Sequence, residues 1–398
     1  MMPLTLPEPD KAAQMHSARL CEMIRAEIDT AGGAMPFRRY MEMALYTPGL
    51  GYYMAGARKF GAAGDFVTAP EISPLFSDCL AAQCQQVLET FERPACLLEL
   101  GAGSGTMAAD ILARLERLDC LPDHYYILEL SAELKQRQQQ TLARRVPHLA
   151  ASVRWLDTLD GLELHGVILA NEVLDAQPVT RFRLDEEGLH ELGVGYDRQG
   201  FRTVSMPASP DLAQQVAQRQ AAISEPWGQP YESEFNPQLD GWMSLLANTL
   251  AAGAILLIDY GYVRTEYYHP ERNEGTLIGH YHHRVTEDPF LFPGLQDLTA
   301  SVDFTAVAEA GLKAGLALDG YTTQALFLMG NGLDRFYTER IEEHPEEALE
   351  LAQQIKRLTL PSEMGDRFQV IGLTRETSLA LHGFKPRNQL HRLQPSNH

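Results

Sequence analysis

Apolar residues recur with two different spacings along this chain, and the change between them divides it into regions. Residues 10–30 and 71–92 carry apolar side chains at helical spacing, which predicts two helices. The Gly- and Tyr-rich stretch 44–70 between them predicts a loop. From Ala95 onward, short runs that are apolar throughout alternate with helical segments, which is typical of a parallel sheet covered on both faces.

The predicted strands all belong to this second region. They occupy residues 95–100, 125–130, 153–156, 165–170, 253–261, 321–329 and 366–374. We expect the last of them to pair antiparallel at the edge of the sheet. A further helix is predicted over 333–358, and two hairpin strands and two helices are predicted within 179–249. The sequence therefore predicts an α/β fold.

Composition narrows the class of protein. The 398 residues are 45% apolar and 22% charged, which excludes disordered and collagen-like chains. A formal net charge of -20 opposes non-specific attraction to phosphate backbones, so we expect no nucleic-acid partner. The longest apolar runs, such as 251–258, are too short to span a bilayer, and we expect no membrane insertion.

The N-terminal residues and the cysteines indicate the compartment. The first twenty residues have neither a secretory pattern nor the Arg-rich character of a transit peptide, so we expect a cytoplasmic enzyme. The five cysteines are widely spaced, form no C-x-x-C pair and have no histidine nearby. We therefore expect free thiols and no metal site.

The segment Glu99-Leu-Gly-Ala-Gly-Ser-Gly-Thr106 lies where a predicted strand ends and a helix begins. Glycines there let the backbone approach a ligand closely, while the helix offers free N–H groups. A tight strand–helix turn without a ligand is the alternative. Glu129, which follows the next strand, favours a ligand because a carboxylate can accept both hydroxyls of a ribose.

The spacing of the glycines distinguishes two kinds of cofactor. Dinucleotide loops favour G-x-G-x-x-G, whereas this chain has G-x-G-x-G preceded by an acid. Glu99 would repel a pyrophosphate, but it can hold the ammonium of a methionine moiety, so the pattern points to S-adenosylmethionine. Asp157, after the third strand, is a candidate acceptor for the adenine amino group; a helix cap is the alternative for it.

With these residues in view, the chain resembles the MidA-like family of S-adenosylmethionine-dependent methyltransferases, whose mitochondrial member assists respiratory complex I assembly by methylating an arginine. The resemblance runs over nearly the whole chain and rests on long, distinctive motifs. These are a tyrosine-rich motif over 40–53, GDFVTAPEISPLF (64–76), ELGAGSGT (99–106), ELS (129–131), NEVLDAQPV (171–179), LLIDYGY (256–262), PGLQDLTASVDF (293–304) and MGDRFQV (364–370).

The resemblance implies a class I methyltransferase (Rossmann-like) fold, with a mostly parallel seven-stranded sheet, an N-terminal helical extension and two insertions. The chain then divides into an N-terminal extension and cofactor lid (1–92), a first part of the core (93–178), an insertion (179–250), a core strand (251–262), an insertion carrying a substrate loop (263–319), the C-terminal core (320–376) and a tail (377–398). In the second insertion, Thr276-Leu277-Ile278-Gly279-His280 departs from the family, which often has a basic residue two positions after the Thr-Leu.

The glycine loop and the resemblance together predict a set of cofactor-binding residues at one end of the sheet. They are Glu99, Gly101, Ala102, Gly103, Gly105, Thr106, Glu129, Asp157, Gly64, Asp65 and Thr68. For the last three, which precede a helix, we prefer a lid over the cofactor; a helix cap is the alternative for Thr68.

Asn171, Glu172 and Asp175 follow the fourth predicted strand, at the edge where open α/β sheets bind their ligands. Glu172 and Asp175 would lie on one face if the segment turned helically, and paired carboxylates suit a guanidinium with its five donors. A capping box at a helix start is the alternative. The resemblance favours catalysis, with Asn171, Glu172 and Asp175 as the predicted catalytic residues.

Two clusters of ring side chains remain open. The tyrosines at 40, 46, 52 and 53 either line a substrate channel or belong to the core, which is the commoner place for aromatic clusters. The histidines at 280, 282 and 283 have no carboxylates at ligand spacing, which favours a solvated or substrate-facing loop over a metal site.

The sequence thus predicts a methyltransferase acting on a protein side chain, an arginine in a respiratory-complex subunit being the leading hypothesis. The acidic surface suits a basic substrate segment, and the insertions supply more surface than a small metabolite needs. Methylation of a small molecule and a cofactor-binding assembly factor with little catalysis are the alternatives. A nicotinamide oxidoreductase is disfavoured by the loop spacing. The oligomeric state stays open, and a dimer is one of the alternatives.

Overall fold

The computed structural model of the protein describes residues 6–55, 67–92, 94–377 and 379–393. Its helices are α1 (Lys11–Thr30), α2 (Phe37–Tyr46), α3 (Ala69–Ile72), α4 (Pro74–Leu88), α5 (Thr106–Arg117), α6 (Ala132–Arg145), α7 (Pro210–Ala221), α8 (Leu239–Thr249), α9 (Arg264–Tyr267), α10 (Phe304–Lys313), α11 (Gln324–Gly330), α12 (Leu333–Glu343) and α13 (Ala348–Thr359). Short 3-10 helices span Ala150–Ser152, Pro345–Glu347, His382–Phe384 and Leu390–Leu393.

The strands follow the same chain order. They are β1 (Met35–Pro36), β2 (Cys96–Leu100), β3 (Tyr125–Leu128), β4 (Val153–Leu156), β5 (Leu164–Asn171), β6 (Thr180–Asp185), β7 (Gly188–Asp197), β8 (Gly200–Pro207), β9 (Tyr231–Phe235), β10 (Leu250–Tyr262), β11 (Ile278–Tyr281), β12 (Arg284–Thr286), β13 (Asp297–Thr299), β14 (Val302–Asp303), β15 (Ala317–Thr323) and β16 (Phe368–Arg375).

The largest sheet runs in the order β15-β16-β10-β5-β2-β3-β4, and the two-residue strand β14 pairs with the end of β10. Neighbouring strands from β10 to β4 are parallel, whereas β16 runs antiparallel to both β10 and β15. The predicted α/β class is confirmed. The sheet is mixed and, with β14, has eight strands instead of the seven expected. The antiparallel strand β16 lies inside the sheet and not at its edge, because β15 pairs with its outer side.

Both faces of this sheet are covered by helices. On one face Leu97 and Val167 pack with helices α4 and α5, and on the other Leu98 and Ile168 pack with α8 and α10. Each of these four side chains is fully buried, which contributes about 2 kcal/mol per side chain to stability. Burial on both faces is the reason that these strands are apolar throughout.

Two smaller antiparallel sheets consist of strands from the predicted insertions, except that β1 of the first sheet comes from the N-terminal extension. The first has the order β1-β7-β6-β9 with β8 beside β7, and the second has the order β12-β11-β13. The segment 179–249 therefore holds four strands and two helices, where two strands and two helices were predicted. Its last helix, α8, packs on the main sheet through Met243 and Leu246.

Capping side chains explain where several predicted helices begin and end. The predicted helix 10–30 is confirmed as α1, and the Asp10 carboxylate accepts the Ala13 N–H at 2.8 Å. The predicted helix 71–92 is divided into α3 and α4 at Ser73, whose backbone is extended and whose hydroxyl accepts the Leu75 N–H at 3.3 Å. A Ser followed by Pro is a strong signal for a new helix start.

Two C-terminal predictions are wrong in their boundaries. The predicted strand 321–329 ends at Thr323, whose hydroxyl accepts the Leu326 N–H at 3.5 Å and begins α11. The predicted helix 333–358 is interrupted at Pro345, which cannot continue the preceding helix and separates α12 from α13. Among the described residues, no helix is both long enough and apolar enough to cross a membrane.

Candidate active site

The glycine loop between β2 and α5 adopts a backbone that only glycine takes without strain. Gly101, Gly103 and Gly105 have φ angles of 65°, 53° and 80°. A Cβ atom on Gly105 would lie 2.9 Å from the Cα of Gln138, so the loop packs directly against α6. This geometry places the loop backbone along a cavity of about 440 Å³, which we call the smaller cavity.

The smaller cavity lies at the carboxyl edge of the parallel strands. Its walls come from the glycine loop, the end of β3, the segment 171–178 and the N-terminal extension. Seven of the predicted cofactor residues line it, as do Asn171 and Glu172; the seven are Thr68, Glu99, Gly101, Ala102, Gly103, Thr106 and Glu129. Gly105 is the N-cap residue of α5, directly behind this lining.

Two donors among the described residues hold Glu129 in place. Its Oε1 accepts the Ser131 N–H at 2.9 Å, and its Oε2 accepts the side-chain amide of Gln138 at 2.8 Å. The oxygen of that amide accepts the indole N–H of Trp155 at 2.9 Å, while its nitrogen also donates to the Gly103 carbonyl at 3.2 Å. The carboxylate is thus pre-oriented towards the cavity, as a ribose-binding acid requires.

Gln138 and Trp155, which orient Glu129, were not among the residues predicted from the sequence. They lie nine and twenty-six residues beyond Glu129, on α6 and β4, and no motif connects them with the carboxylate. A polar residue on an inward-facing helix position was the one signal, because Gln138 is fully buried.

Glu99 is the second acid in this cavity wall. It is 1% exposed, and its Oε2 accepts the hydroxyl of Tyr125 at 2.6 Å. Burial raises the pKa of Glu99 to about 7, against the opposing effect of the Tyr125 hydrogen bond and with a smaller contribution from the nearby charge of Glu129. The environment therefore disfavours the negative charge until a cation such as an ammonium lies beside it.

The segment that precedes α4 contacts the glycine loop directly. The Ser104 hydroxyl forms a very short hydrogen bond with the Glu71 carboxylate and lies 2.8 Å from the Thr106 hydroxyl. Thr68 is the N-cap residue of α3 and lines the cavity beside it. Gly64 and Asp65, predicted for the same lid, lie outside the described residues.

Asp157 is not brought together with the other predicted residues. Its side chain is 86% exposed, lies 3.5 Å from Lys135 Nζ and is not in the lining of the smaller cavity. Its proposed contact with adenine stays a prediction.

A larger cavity of about 1050 Å³ adjoins the smaller one, and Glu172 lines both. Glu172 has a φ of 54°, a backbone conformation that residues other than glycine rarely adopt. Its backbone N–H donates to the Ile258 carbonyl at 2.9 Å, and its Oε1 accepts the Asn171 amide at 3.1 Å. Burial and the nearby charge of Asp175 raise the pKa of Glu172 to about 8.

Asp175 lines the larger cavity from the same turn. It is 6% exposed, and its Oδ1 faces the Tyr260 hydroxyl but has no hydrogen bond of good geometry among the described residues. Burial raises the pKa of Asp175 above its ordinary value. Residues 172–179 contain no helix, so the expected helical turn and the alternative of a capping box are both wrong. The two carboxylates nevertheless reach one cavity.

A third carboxylate, Asp259, determines the path of this turn. It is 1% exposed, and its Oδ2 accepts the N–H groups of Leu174 at 2.9 Å and of Asp175 at 3.2 Å, while its Oδ1 accepts the Tyr260 N–H at 2.9 Å. Burial and the charges of Asp175 and Glu172 raise its pKa well above the ordinary value. These three hydrogen bonds all come from backbone N–H groups.

The four N-terminal tyrosines divide into two pairs. Tyr40 and Tyr52 are buried in the core, as the commoner alternative held. Tyr46 and Tyr53 stack with ring centroids 5.6 Å apart and line the smaller cavity. The Tyr53 hydroxyl donates to the Asp297 carboxylate at 2.9 Å, and Asp297 lines the larger cavity.

The histidine cluster of the second insertion is also divided. His280 lies on β11 and lines the larger cavity, whereas His282 and His283 occupy the exposed turn that leads to β12, both with positive φ angles. The three side chains therefore do not converge on one point, and a contact of His280 with substrate stays a prediction.

Comparison with known proteins identifies the family of this chain. The model of a family described as "Putative S-adenosyl-L-methionine-dependent methyltransferase" matches residues 79–322, more than half of the chain. A solved structure from Burkholderia thailandensis with bound S-adenosyl-homocysteine is 41% identical, covers 97% of this chain and 100% of its own, and superposes with a TM-score of 0.91. A native structure from the same organism, also 41% identical and with the same coverage of both chains, has a TM-score of 0.89.

Curated relatives are more distant in sequence. "Protein arginine methyltransferase NDUFAF7, mitochondrial" from Danio rerio is 28% identical over 88% of this chain and 86% of its own length. The protein of the same name from Homo sapiens is 29% identical over 86% of this chain and 80% of its own length. Together with the glycine loop, the oriented Glu129 and the cavity they share, the family match leads to one conclusion: this chain belongs to the S-adenosylmethionine-dependent methyltransferases, and S-adenosylmethionine is its cofactor.

Proposed function

We propose that this methyltransferase acts on an arginine side chain of a protein, and that a respiratory-complex subunit is the first substrate class to examine. The observation that carries the proposal is the position of Glu172, which lines both the smaller cavity and the larger cavity. A second buried carboxylate, Asp175, lies beside it in the larger cavity. The names of the curated relatives support the same substrate class.

Charge supports a cationic acceptor. Glu172 and Asp175 are close enough for each charge to oppose the other, and burial adds to this cost. A guanidinium has five N–H donors in a fixed plane and no acceptor, so it can bond to both carboxylates, and its single positive charge offsets the repulsion between them. A neutral small molecule would leave at least one of these charges buried without a partner.

The chemistry requires the position of Glu172 between the two cavities. S-adenosylmethionine supplies the methyl group when bound. The acceptor nitrogen forms a bond to the methyl carbon while the bond from that carbon to sulfur breaks, and the nitrogen gives up one proton. Glu172 receives that proton in this proposal, because it lines the cavity that takes the acceptor and its raised pKa of about 8 makes it a better base than an ordinary glutamate.

The larger cavity supports a protein substrate. Its volume of about 1050 Å³ exceeds what one arginine side chain fills, and its walls include β11, β13 and the loop around Thr276. Neighbouring residues of a substrate segment can therefore enter it together with the arginine.

The test is methyl transfer to a lysate from a strain that lacks this gene. Labelled S-adenosylmethionine is added, proteins are separated by size, and the labelled band is hydrolysed to amino acids. We expect a discrete protein band whose label elutes with methylarginine. Gly103→Asp, which blocks the cofactor loop, should remove the band, and Glu172→Gln should reduce it strongly while S-adenosyl-homocysteine still binds.

Other outcomes would contradict the proposal. Label found only in the small-molecule fraction would favour a metabolite acceptor, and label on an amino acid other than arginine would exclude arginine. No transfer to any fraction, with cofactor binding intact, would favour an assembly factor. Asp334→Asn, on the exposed surface of α12, serves as a matched control and should behave as the wild type.

A further inference from the structure

The wall of the larger cavity beside Asp175 contains three buried polar oxygens that face one another but form no hydrogen bond of good geometry among the described residues. They are Asp175 Oδ1, the Tyr260 hydroxyl and Thr299 Oγ1. Asp175 and Thr299 are 6% and 2% exposed. Buried polar groups in folded proteins are nearly always hydrogen-bonded, so three such atoms in one cavity wall indicate a polar ligand.

The three groups come from separate elements and converge. Tyr260 is the last residue of β10 that pairs with β16, and its hydroxyl faces Asp175 and Thr299. Thr299 is the last residue of β13, and the N–H of the next residue, Ala300, donates to the Asp175 carbonyl at 2.9 Å. The Tyr260 ring packs edge-on against Phe368, with centroids 5.6 Å apart, which fixes the direction of its hydroxyl.

We propose that Tyr260 and Thr299 are substrate-binding residues whose hydroxyl oxygens, together with Asp175, accept hydrogen bonds from the guanidinium of the acceptor arginine. This inference rests on the proposed function and adds the residues that select the acceptor. Neither hydroxyl belongs to the catalytic set that the sequence predicts.

The number of acceptors explains the selectivity. A guanidinium has five N–H groups, whereas the ammonium of lysine has three that point in tetrahedral directions. Glu172 faces the cofactor side, and Asp175, Tyr260 and Thr299 offer three oxygens on the other. A hydroxyl that donates its own proton to Asp175 still has lone pairs for the ligand, so the arrangement accepts a planar donor fork better than a lysine.

The experiment measures binding without catalysis. The full-length protein, saturated with S-adenosyl-homocysteine, is titrated calorimetrically with N-acetyl-arginine methylamide and with the corresponding lysine and citrulline compounds. We expect the arginine compound to bind and the other two to bind much more weakly. Tyr260→Phe and Thr299→Val should each weaken arginine binding about tenfold, the usual effect of losing a hydrogen bond to a charged group.

Matched variants separate binding from folding. Thr299→Ser keeps the hydroxyl and should retain arginine binding. Thr322→Val removes another buried hydroxyl that lacks a partner among the described residues, but on β15 and outside the cavity lining, and should change nothing. Tyr231→Phe removes another buried tyrosine hydroxyl that has no hydrogen bond of good geometry among the described residues but lies outside the cavity lining, and arginine binding should stay within twofold. Affinity for S-adenosyl-homocysteine should be the same in all variants.

The inference fails if Tyr260→Phe and Thr299→Val both bind the arginine compound like the wild type, if the wild type binds lysine or citrulline equally well, or if it binds no arginine at all. Its failure is distinguishable from failure of the proposed function. Methylarginine in the labelled protein with normal binding by both variants would overturn the role of Tyr260 and Thr299 alone.

Discussion

The side chain of Asp259 accepts the backbone N–H of Asp175 at 3.2 Å, so that one buried carboxylate determines where another lies. The same Oδ2 atom holds Leu174, and the Ile258 carbonyl holds the N–H of Glu172. The end of β10 therefore shapes the whole turn that carries the proposed catalytic residues. The cost of burying Asp259 is offset by its three backbone hydrogen bonds.

Asp259→Asn tests this positioning role. An amide offers one acceptor oxygen, and its NH₂ group would face backbone N–H groups, so the turn should shift. We expect kcat of methyl transfer to fall tenfold or more, because the loss of one buried hydrogen bond has an effect of about that size. The affinity for S-adenosyl-homocysteine should stay within twofold. Asp334→Asn is the matched control, and a normal kcat in Asp259→Asn would contradict the role.

The pH profile tests Glu172 as the base. Because its raised pKa is about 8, the carboxyl is protonated and inactive as a base below that pH. We expect kcat/KM to rise with pH and to level off above about 8. A bound guanidinium favours the charged carboxylate, so the rise in kcat should lie at lower pH than the rise in kcat/KM.

Glu172→Gln provides the comparison for this profile. The variant should be much slower and should lose the rise near pH 8. A wild-type kcat/KM that is already constant from pH 6 upward would assign the proton to another group or to water.

Glu99 should make the stability of the protein without cofactor depend on pH. Its pKa is about 7 in the folded state and 4.5 ordinarily, so the folded state holds a proton that the unfolded state has lost between these values. The contribution is fully present below pH 4.5 and is lost as pH rises through 7. The shift corresponds to about 3 kcal/mol.

Glu99→Gln removes this dependence while keeping an acceptor for Tyr125. We expect the variant to have a higher melting temperature than the wild type at pH 8, by about 4 °C for a chain of this size, and a similar one at pH 4.5. Thermal unfolding of both proteins at several pH values measures the difference. If the melting temperatures of the two proteins change with pH in the same way, Glu99 is not the responsible group.

Glu129 and Asp157 are two acids predicted for the same cofactor, and the structure separates them. Glu129→Gln should weaken S-adenosyl-homocysteine binding about tenfold, because a ribose hydroxyl loses a charged acceptor. Asp157→Asn should change it less than twofold, since the Asp157 side chain is 86% exposed. Calorimetric titration of both variants checks the pair, and an equal loss in Asp157→Asn would establish the adenine contact that the sequence predicts.

Local patterns in the sequence were sufficient to predict the parts of the site that are formed within one short segment. The glycines at 101, 103 and 105 follow a buried strand and precede a helix, and the structure gives all three positive φ angles at a cavity. Glu99 and Glu129 end adjacent parallel strands, which brings their carboxylates together at one edge of the sheet. The spacing of apolar residues and the composition of a segment are local properties, and they predict strand ends and glycine loops reliably.

The boundaries that failed were those at which a single capping side chain or proline competes with the apolar pattern. Ser73 and Thr323 each begin a helix inside a run that reads as one element. The place of β16 inside the sheet follows from its pairing with both β10 and β15, and pairing partners cannot be read from one strand.

The sequence by itself determined the α/β class, the cofactor loop and the acids that could serve it. Only the tertiary structure decided which polar groups meet. Tyr125 reaches Glu99, Gln138 reaches Glu129, and Asp259 reaches Asp175 across separations of 26, 9 and 84 residues. Such contacts depend on how strands and helices pack in three dimensions, and hydrogen bonds form between neighbours in space whatever their distance along the chain.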